Sequence, residues 1–335
     1  MNFFPSSQIP GALSIDRLTF LVFSPRLSLW SEEESERRLN MENVKKFSNF
    51  IDIRLSSCLD PEFPQGSPTP LYKKHYRTSS GIDIQFGPIF PVRKKKKSIQ
   101  EQLEEDQYIY QPSYYALRIE YNPNNITLSE IRPIFSSVKN FSLNNTIYVS
   151  RVDTAIDYKA SLNPELILCR GIKKNCVFGG KKGVETVYFG RRTSKNFFRI
   201  YNKRQEIIDS GSPDPNHDIW RIELEYSNSF PLSTTPDLGP QFDKLIILPG
   251  SVISSENDWI FNMILENSVY SGSLENTLNK IPLSTRKRYI QKISDYSSSL
   301  STIEDPSSIV RRDFPSAFSR IRVDLFSLFN QRILL

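Results

Sequence analysis

Two short runs constrain this chain more than anything else in it: Arg151-Val152-Asp153-Thr154-Ala155-Ile156-Asp157-Tyr158 and Arg221-Ile222-Glu223-Leu224-Glu225-Tyr226. Both alternate charged and apolar residues with a period of two, the period at which side chains of a β-strand change faces. Arg151, Asp153, Ala155 and Asp157 therefore share one face, and Glu223 and Glu225 share another, with Val152, Ile156, Ile222 and Leu224 behind them. A chain with such strands needs an apolar layer on one side of a sheet and leaves a charged surface on the other. Clustered acids repel one another unless a cation or basic groups offset them. Oxygen-only ligands point to Mg²⁺ or Mn²⁺, with Asp153, Asp157, Glu223 and Glu225 as the ligand candidates.

The rest of the chain reads as the scaffold for those strands. Strands are expected at Ser14–Phe23, Leu71–Arg77, Gly81–Phe86, Tyr114–Tyr121 and Thr146–Tyr158, with an amphipathic helix over Asn125–Asn140. Ser31–Phe50 has helical spacing with an acidic first turn, Ser56–Pro70 is a proline-rich loop, and Arg93–Gln111 is a polar insertion. A second set of strands follows at Asn175–Phe178, Val184–Phe189, Asn196–Lys203 and Ile219–Tyr226. After Pro231–Pro240 the pattern turns helical, at Asp258–Val269, Ser273–Asn279 and Ser284–Tyr296. The expected class is α+β: two related, mostly antiparallel sheet units (14–158 and 170–226) with helices packed on one face, then a small helical C-terminal region. The boundary falls between a catalytic region, 1–235, and a helical region, 241–335.

Composition narrows the chemistry. Two histidines exclude a paired-histidine metal site, and three cysteines without C-x-x-C spacing give neither a disulfide framework nor a cysteine zinc site. No apolar run is long enough to span a bilayer, so no membrane partner and a cytoplasmic location are expected. The net charge is +6, yet Arg170–Arg204 alone holds eleven Lys or Arg against one acid, Glu185. Its cations, including Lys181, Lys182, Arg191, Arg192, Lys195 and Arg204, alternate with Tyr188, Phe189, Phe197 and Phe198. That pattern suits a phosphate backbone with unstacked bases. Within it, Phe198-Arg199-Ile200-Tyr201-Asn202-Lys203, read as a strand, places Tyr201 between Arg199 and Lys203, where cations stabilise a phenolate and aid attack on phosphorus.

R-V-D-T-A-I-D (Arg151–Asp157), E-T-V-Y-F-G-R-R-T-S (Glu185–Ser194), F-R-I-Y-N-K-R-Q-E (Phe198–Glu206) and W-R-I-E-L-E (Trp220–Glu225) resemble, in order and spacing, the motifs of the Rep_trans family. That family comprises replication initiation factors of rolling-circle plasmids and filamentous phages, and related relaxases of conjugative elements. The resemblance implies site-specific DNA nicking and strand joining through a 5′-phosphotyrosine, with Tyr201 as nucleophile. It implies a divalent ion on acids matching Asp153, Asp157, Glu223 and Glu225, with Glu185 as a further candidate. Single-stranded and duplex origin DNA are the implied partners, with host helicase, polymerase and a second copy of the chain as further candidates.

A different class of reading is a noncatalytic DNA-binding regulator. Pro282-Leu283 then makes the turn of a helix-turn-helix whose second helix carries Arg286, Lys287 and Arg288, with Tyr289, Ile290, Ile293 and Tyr296 packed beneath. A covalent adduct with single-stranded DNA separates the two readings.

Overall fold

The computed structural model describes residues 13–23, 74–89, 114–141, 147–178, 184–248, 258–271, 274–298 and 303–330. The helical stretch Ser31–Phe50, the loop Ser56–Pro70 and the insertion Arg93–Gln111 lie outside the described residues.

Strand β1 is Leu13–Phe23. Its inward residues are Ile15, Leu18, Phe20 and Val22, all fully buried. The step from 15 to 18 breaks strict alternation, and register shifts between Ile15/Arg17 and Thr19/Phe20 account for it. An extra residue at a bulge turns the charged Asp16-Arg17 pair away from the core. Strands β2 (Lys74–Arg77), β3 (Asp83–Ile89) and β4 (Tyr114–Tyr121) follow. Helix α1 (Leu128–Phe141) starts at a capping box, in which Glu130 Oε2 accepts from the Thr127 backbone N–H at 2.7 Å. It leads to β5 (Ile147–Tyr158). Both β4 and β5 are antiparallel to β1 and flank it, so α1 is the crossover of a split β-α-β unit.

The second unit is a meander of β7 (Lys174–Phe178), β8 (Val184–Phe189) and β9 (Asn196–Asn202), preceded by a three-residue strand, β6 (Ile167–Cys169). A short helix α2 (Lys203–Asp209) then returns the chain to β10 (Trp220–Tyr226). The two units share one sheet, joined where β10 pairs with β5, in the order β2-β3-β4-β1-β5-β10-β9-β8-β7; β11 (Phe230–Pro231) also pairs with β5. Every ladder in it is antiparallel.

Among the described residues, apolar side chains of this sheet pack under helices on one face. Phe20 meets Phe135 of α1 edge-on at 5.5 Å, Phe198 meets Phe242 of α3 (Gly239–Phe242) at 5.3 Å, and Phe230 meets Phe318 at 5.8 Å. Phe318 belongs to the 25-residue helix α7 (Pro306–Asn330), which also supplies Ile309, Phe314, Ile321 and Leu325 to the same core. A second, smaller core forms where β6 pairs with β12 (Leu245–Ile247) against α4 (Trp259–Ser271), α5 (Leu274–Leu278) and α6 (Leu283–Ser298). The fold is therefore α+β, an antiparallel sheet with helices on one side and further helices at the C-terminal end. Among the described residues no helix is long and apolar enough to cross a membrane.

Candidate functional site

The sheet face opposite the core gathers the charged side chains that the strand period sets there. Register decides who meets whom: on β10, Arg221, Glu223 and Glu225 lie opposite Asp157, Ala155 and Asp153 of β5, while Arg221 and Glu223 lie opposite Tyr201 and Arg199 of β9. Asp16, Arg17, Asn122, Arg151, Asp153, Arg192, Phe197, Arg199, Glu223 and Glu225 line a cleft of about 440 Å³ on this face.

Tyr201 stands beside it, with its ring 4% exposed and its hydroxyl donating to Glu223 Oε1 at 2.8 Å. Burial, with the negative charge of Glu223 added to it, pushes the phenol's pKa well above its usual value. Burial likewise raises the Glu223 carboxyl above the ordinary range, although Tyr201, Arg199 and Arg221 pull the other way. The pair is a neutral phenol hydrogen-bonded to a carboxylate of raised basicity. Flanking cations do not hold the tyrosine as a phenolate in this state, contrary to the sequence argument for Arg199 and Lys203. Arg199 instead sits over the Tyr201 ring, its Cζ 4.0 Å from the centroid. Its ion pairs to Glu206 and Glu223 are 3.6 and 3.7 Å long, and its buried Nε has no hydrogen-bond partner among the described residues.

Lys203 corrects the sequence reading in a second way. The strand ends at Asn202, whose side chain caps α2 by accepting from the Gln205 N–H at 3.1 Å. Lys203 is thus the first helical residue; its Nζ is 5.9 Å from the Tyr201 ring and pairs with Glu206.

The acids come together only in part. Asp157 is locked in a two-pronged pair with Arg221, Nε to Oδ1 at 2.5 Å and Nη2 to Oδ2 at 2.6 Å, both side chains under 10% exposed. Arg221 Nη1 reaches Asp16 at 2.8 Å and Glu223 at 3.9 Å. Although burial works against its charge, the bonds and charges of Asp157 and Asp16 outweigh it and hold the guanidinium protonated. Arg151 holds Asp153 at 2.7 and 2.6 Å and Glu225 at 2.7 Å. Glu185 is not among the residues that line the cleft; it falls at a register shift of the β7–β8 ladder, between the pairs of Val184 and Thr186.

The donor chemistry, carboxylate oxygen, suits a hard divalent ion, but the arrangement does not. Arginines already occupy the acids, and no group of three His, Cys, Asp or Glu side chains gathers among the described residues. A cation at Asp153, Asp157 or Glu225 has first to displace Arg151 or Arg221, and one at Glu223 the Tyr201 hydroxyl. Sequence reasoning overlooked Asp16 and the roles of Arg151 and Arg221. Their only sequence signal is a charge at the head of each strand motif, and pairing depends on register.

The predicted DNA contacts are scattered. Arg191, Arg192 and Lys195 are exposed on the turn before β9, whereas Arg204 is bound to Asp214 and Asp218 at 2.8 and 3.3 Å. Lys181 and Lys182 lie outside the described residues. On α6, Lys287 is exposed, Arg288 pairs with Asp258 at 3.4 Å, and Arg286 donates to the Ile281 carbonyl at 3.4 Å.

No family model matches the chain. It is similar to replication initiation proteins of Staphylococcus aureus. One is 30% identical over 220 residues, 63% of this chain and 59% of that relative; another is 30% identical over 196 residues, 56% and 52%. The chain thus spans between half and three fifths of these relatives' length. The rolling circle replication initiator protein from Geobacillus stearothermophilus aligns over 86% of this chain and 97% of its own, at 11% identity and a TM-score of 0.36. At that score the structural likeness carries no argument.

Proposed function

We propose that this chain initiates DNA replication by the rolling-circle route, cutting one strand of origin DNA and keeping its 5′ end on Tyr201. Its similarity to replication initiation proteins supplies the process. The observation that supports the chemistry is the 2.8 Å bond from the Tyr201 hydroxyl to Glu223, a nucleophile already in contact with its base beside an arginine-lined cleft.

Glu223 takes the phenolic proton as the Tyr201 oxygen attacks the scissile phosphorus. The new O–P bond replaces the bond to the 3′ oxygen, which leaves and receives the proton back from Glu223. A 5′-phosphotyrosine and a free 3′-OH result, the latter a primer for polymerase, and attack by a 3′-OH reverses the step and rejoins the strand. The guanidinium of Arg199, with its unsatisfied Nε, is the donor fork best placed for the charge that builds on the phosphate oxygens. Arg221 and Asp157 hold Glu223 in place, and no step is assigned to Mg²⁺ or Mn²⁺. Helix α6, through Lys287 and its neighbours, is the element proposed to meet duplex origin.

The test is a gel. Wild-type protein with a labelled single-stranded origin library is expected to give an SDS-resistant adduct, and Tyr201→Phe to give none while still binding. Run with and without chelator, the same gel decides whether a divalent ion is required. An adduct mapped to another tyrosine overturns the assignment. Binding with no adduct at all returns the chain to the class of noncatalytic regulators.

A further inference from the structure

Folding engages part of the basic segment Arg170–Arg204. Lys174 is buried and donates to the Pro164 carbonyl at 2.8 Å, Arg170 donates to Ser294 Oγ at 2.7 Å, and Lys203 and Arg204 are held by acids. Of that segment's described cations, those exposed near the cleft lie on the turn between β8 and β9, with Arg192 on the cleft wall itself. The interleaved aromatics divide as sharply. Phe189 and Phe198 are fully buried in the core. Tyr188 and Phe197 take the other face, where their rings stack at 5.5 Å and 18° and Phe197 lines the cleft. Phe197, Arg199 and Tyr201 alternate on β9, so the cleft face of this strand presents an aromatic ring, a guanidinium and the nucleophile in a row at intervals of ~6.8 Å.

We propose that the Tyr188–Phe197 stack is a subsite for an unpaired nucleobase, ~14 Å along β9 from Tyr201, with Arg192 holding that nucleotide's phosphate. The subsite rests on the reading of DNA as substrate, and it specifies the form: single strand at the point of cutting. A ring pair already locked by mutual stacking loses little freedom when a base lies against it, and every base offers a π-face, so the contact accepts any sequence. Bases inside a duplex have their faces occupied by neighbours, and the subsite rejects them. The row on β9 orders the contacts along the strand, base at one end and, at the other, the scissile phosphate between Arg199 and Tyr201.

The test compares the full chain's affinity for a thymidine oligonucleotide with that for an abasic oligonucleotide of equal length and charge. Wild type is expected to prefer the bases by roughly five- to a hundredfold. Tyr188→Leu is expected to cut that ratio at least fivefold, and Tyr188→Phe to preserve it. Should Phe197→Leu fold poorly, the half-buried Tyr188 still carries the comparison. A ratio unchanged in Tyr188→Leu overturns the proposal, as does equal weakening on both probes. Tyr201→Phe keeps the ratio, so a chain that stacks bases but forms no adduct fails only the cutting proposal. A chain that forms the adduct without preferring bases fails only this one.

Discussion

Glu223 does two things at once, accepting the Tyr201 proton and sitting within reach of two guanidinium groups, and the balance between them sets its response to pH. Because burial raises its pKa, the carboxylate takes up a proton at a higher pH than an ordinary glutamate, whose value is ~4.3. The proposed base catalysis is expected to be lost as pH falls through that raised value, so single-turnover cutting is expected to show an acid limb above the usual carboxylate range. Glu223→Gln is expected to slow cutting by roughly 10²–10⁴-fold and to erase that limb; a limb that persists in Glu223→Gln belongs to another group. Arg221 makes a different prediction. Its removal leaves Asp157 as an uncompensated buried charge, a loss of ~3–5 kcal/mol, so Arg221→Ala is expected to lower the melting temperature severely by calorimetry. A near-normal melt means that water reaches Asp157. At this scale the sequence made the face of each acid legible through the period of two. It did not reveal that Arg151 and Arg221 neutralise them, because which residues lie opposite is a property of register.

Among the elements, the strands with the cleanest alternation were legible almost to the residue: Tyr114–Tyr121 and Val184–Phe189 fold as the pattern indicates. Helix α2 was not, since Lys203–Asp209 buries no residue and so has no apolar stripe to betray it. The three-residue β6 and β12 are too short to show a period. Helix α7 carries a proline at 315 and a serine-rich start, which mask a stripe of Ile309, Phe314, Phe318, Ile321 and Leu325. That helix is part of the sheet's own cover rather than an appendage. Phe318→Ala is expected to cost ~3–5 kcal/mol in denaturant melts, the loss typical of a buried phenylalanine. A chain ending near residue 240 is expected to expose the sheet's apolar face and bind a hydrophobic dye. Cooperative unfolding of such a fragment with an unchanged midpoint argues against this packing.

Among the described residues the sheet separates an apolar layer under α1, α3 and α7 from a charged face that holds the cleft. Much of that charge is internally paired, so the free cations of the β8–β9 turn set the response to salt. Affinity for single-stranded oligonucleotide is expected to fall with salt at a log–log slope of ~0.7 per phosphate contact, and the combined replacement of Arg191, Arg192 and Lys195 by Ala is expected to flatten it. An unaltered slope places the backbone contacts elsewhere. Tyr201, finally, sits on a strand with paired neighbours on both sides, in the interior of a ten-stranded sheet. A tyrosine there has no hinge and no loop on which to travel. Its amide neighbours exchange with solvent only when the sheet itself opens, and any approach between tyrosine and phosphorus falls to the nucleic acid. If the proposed cutting holds, the strand has to be melted and bent to the protein, and the sequence dependence of cutting is expected to track how easily the origin distorts as well as which bases it presents.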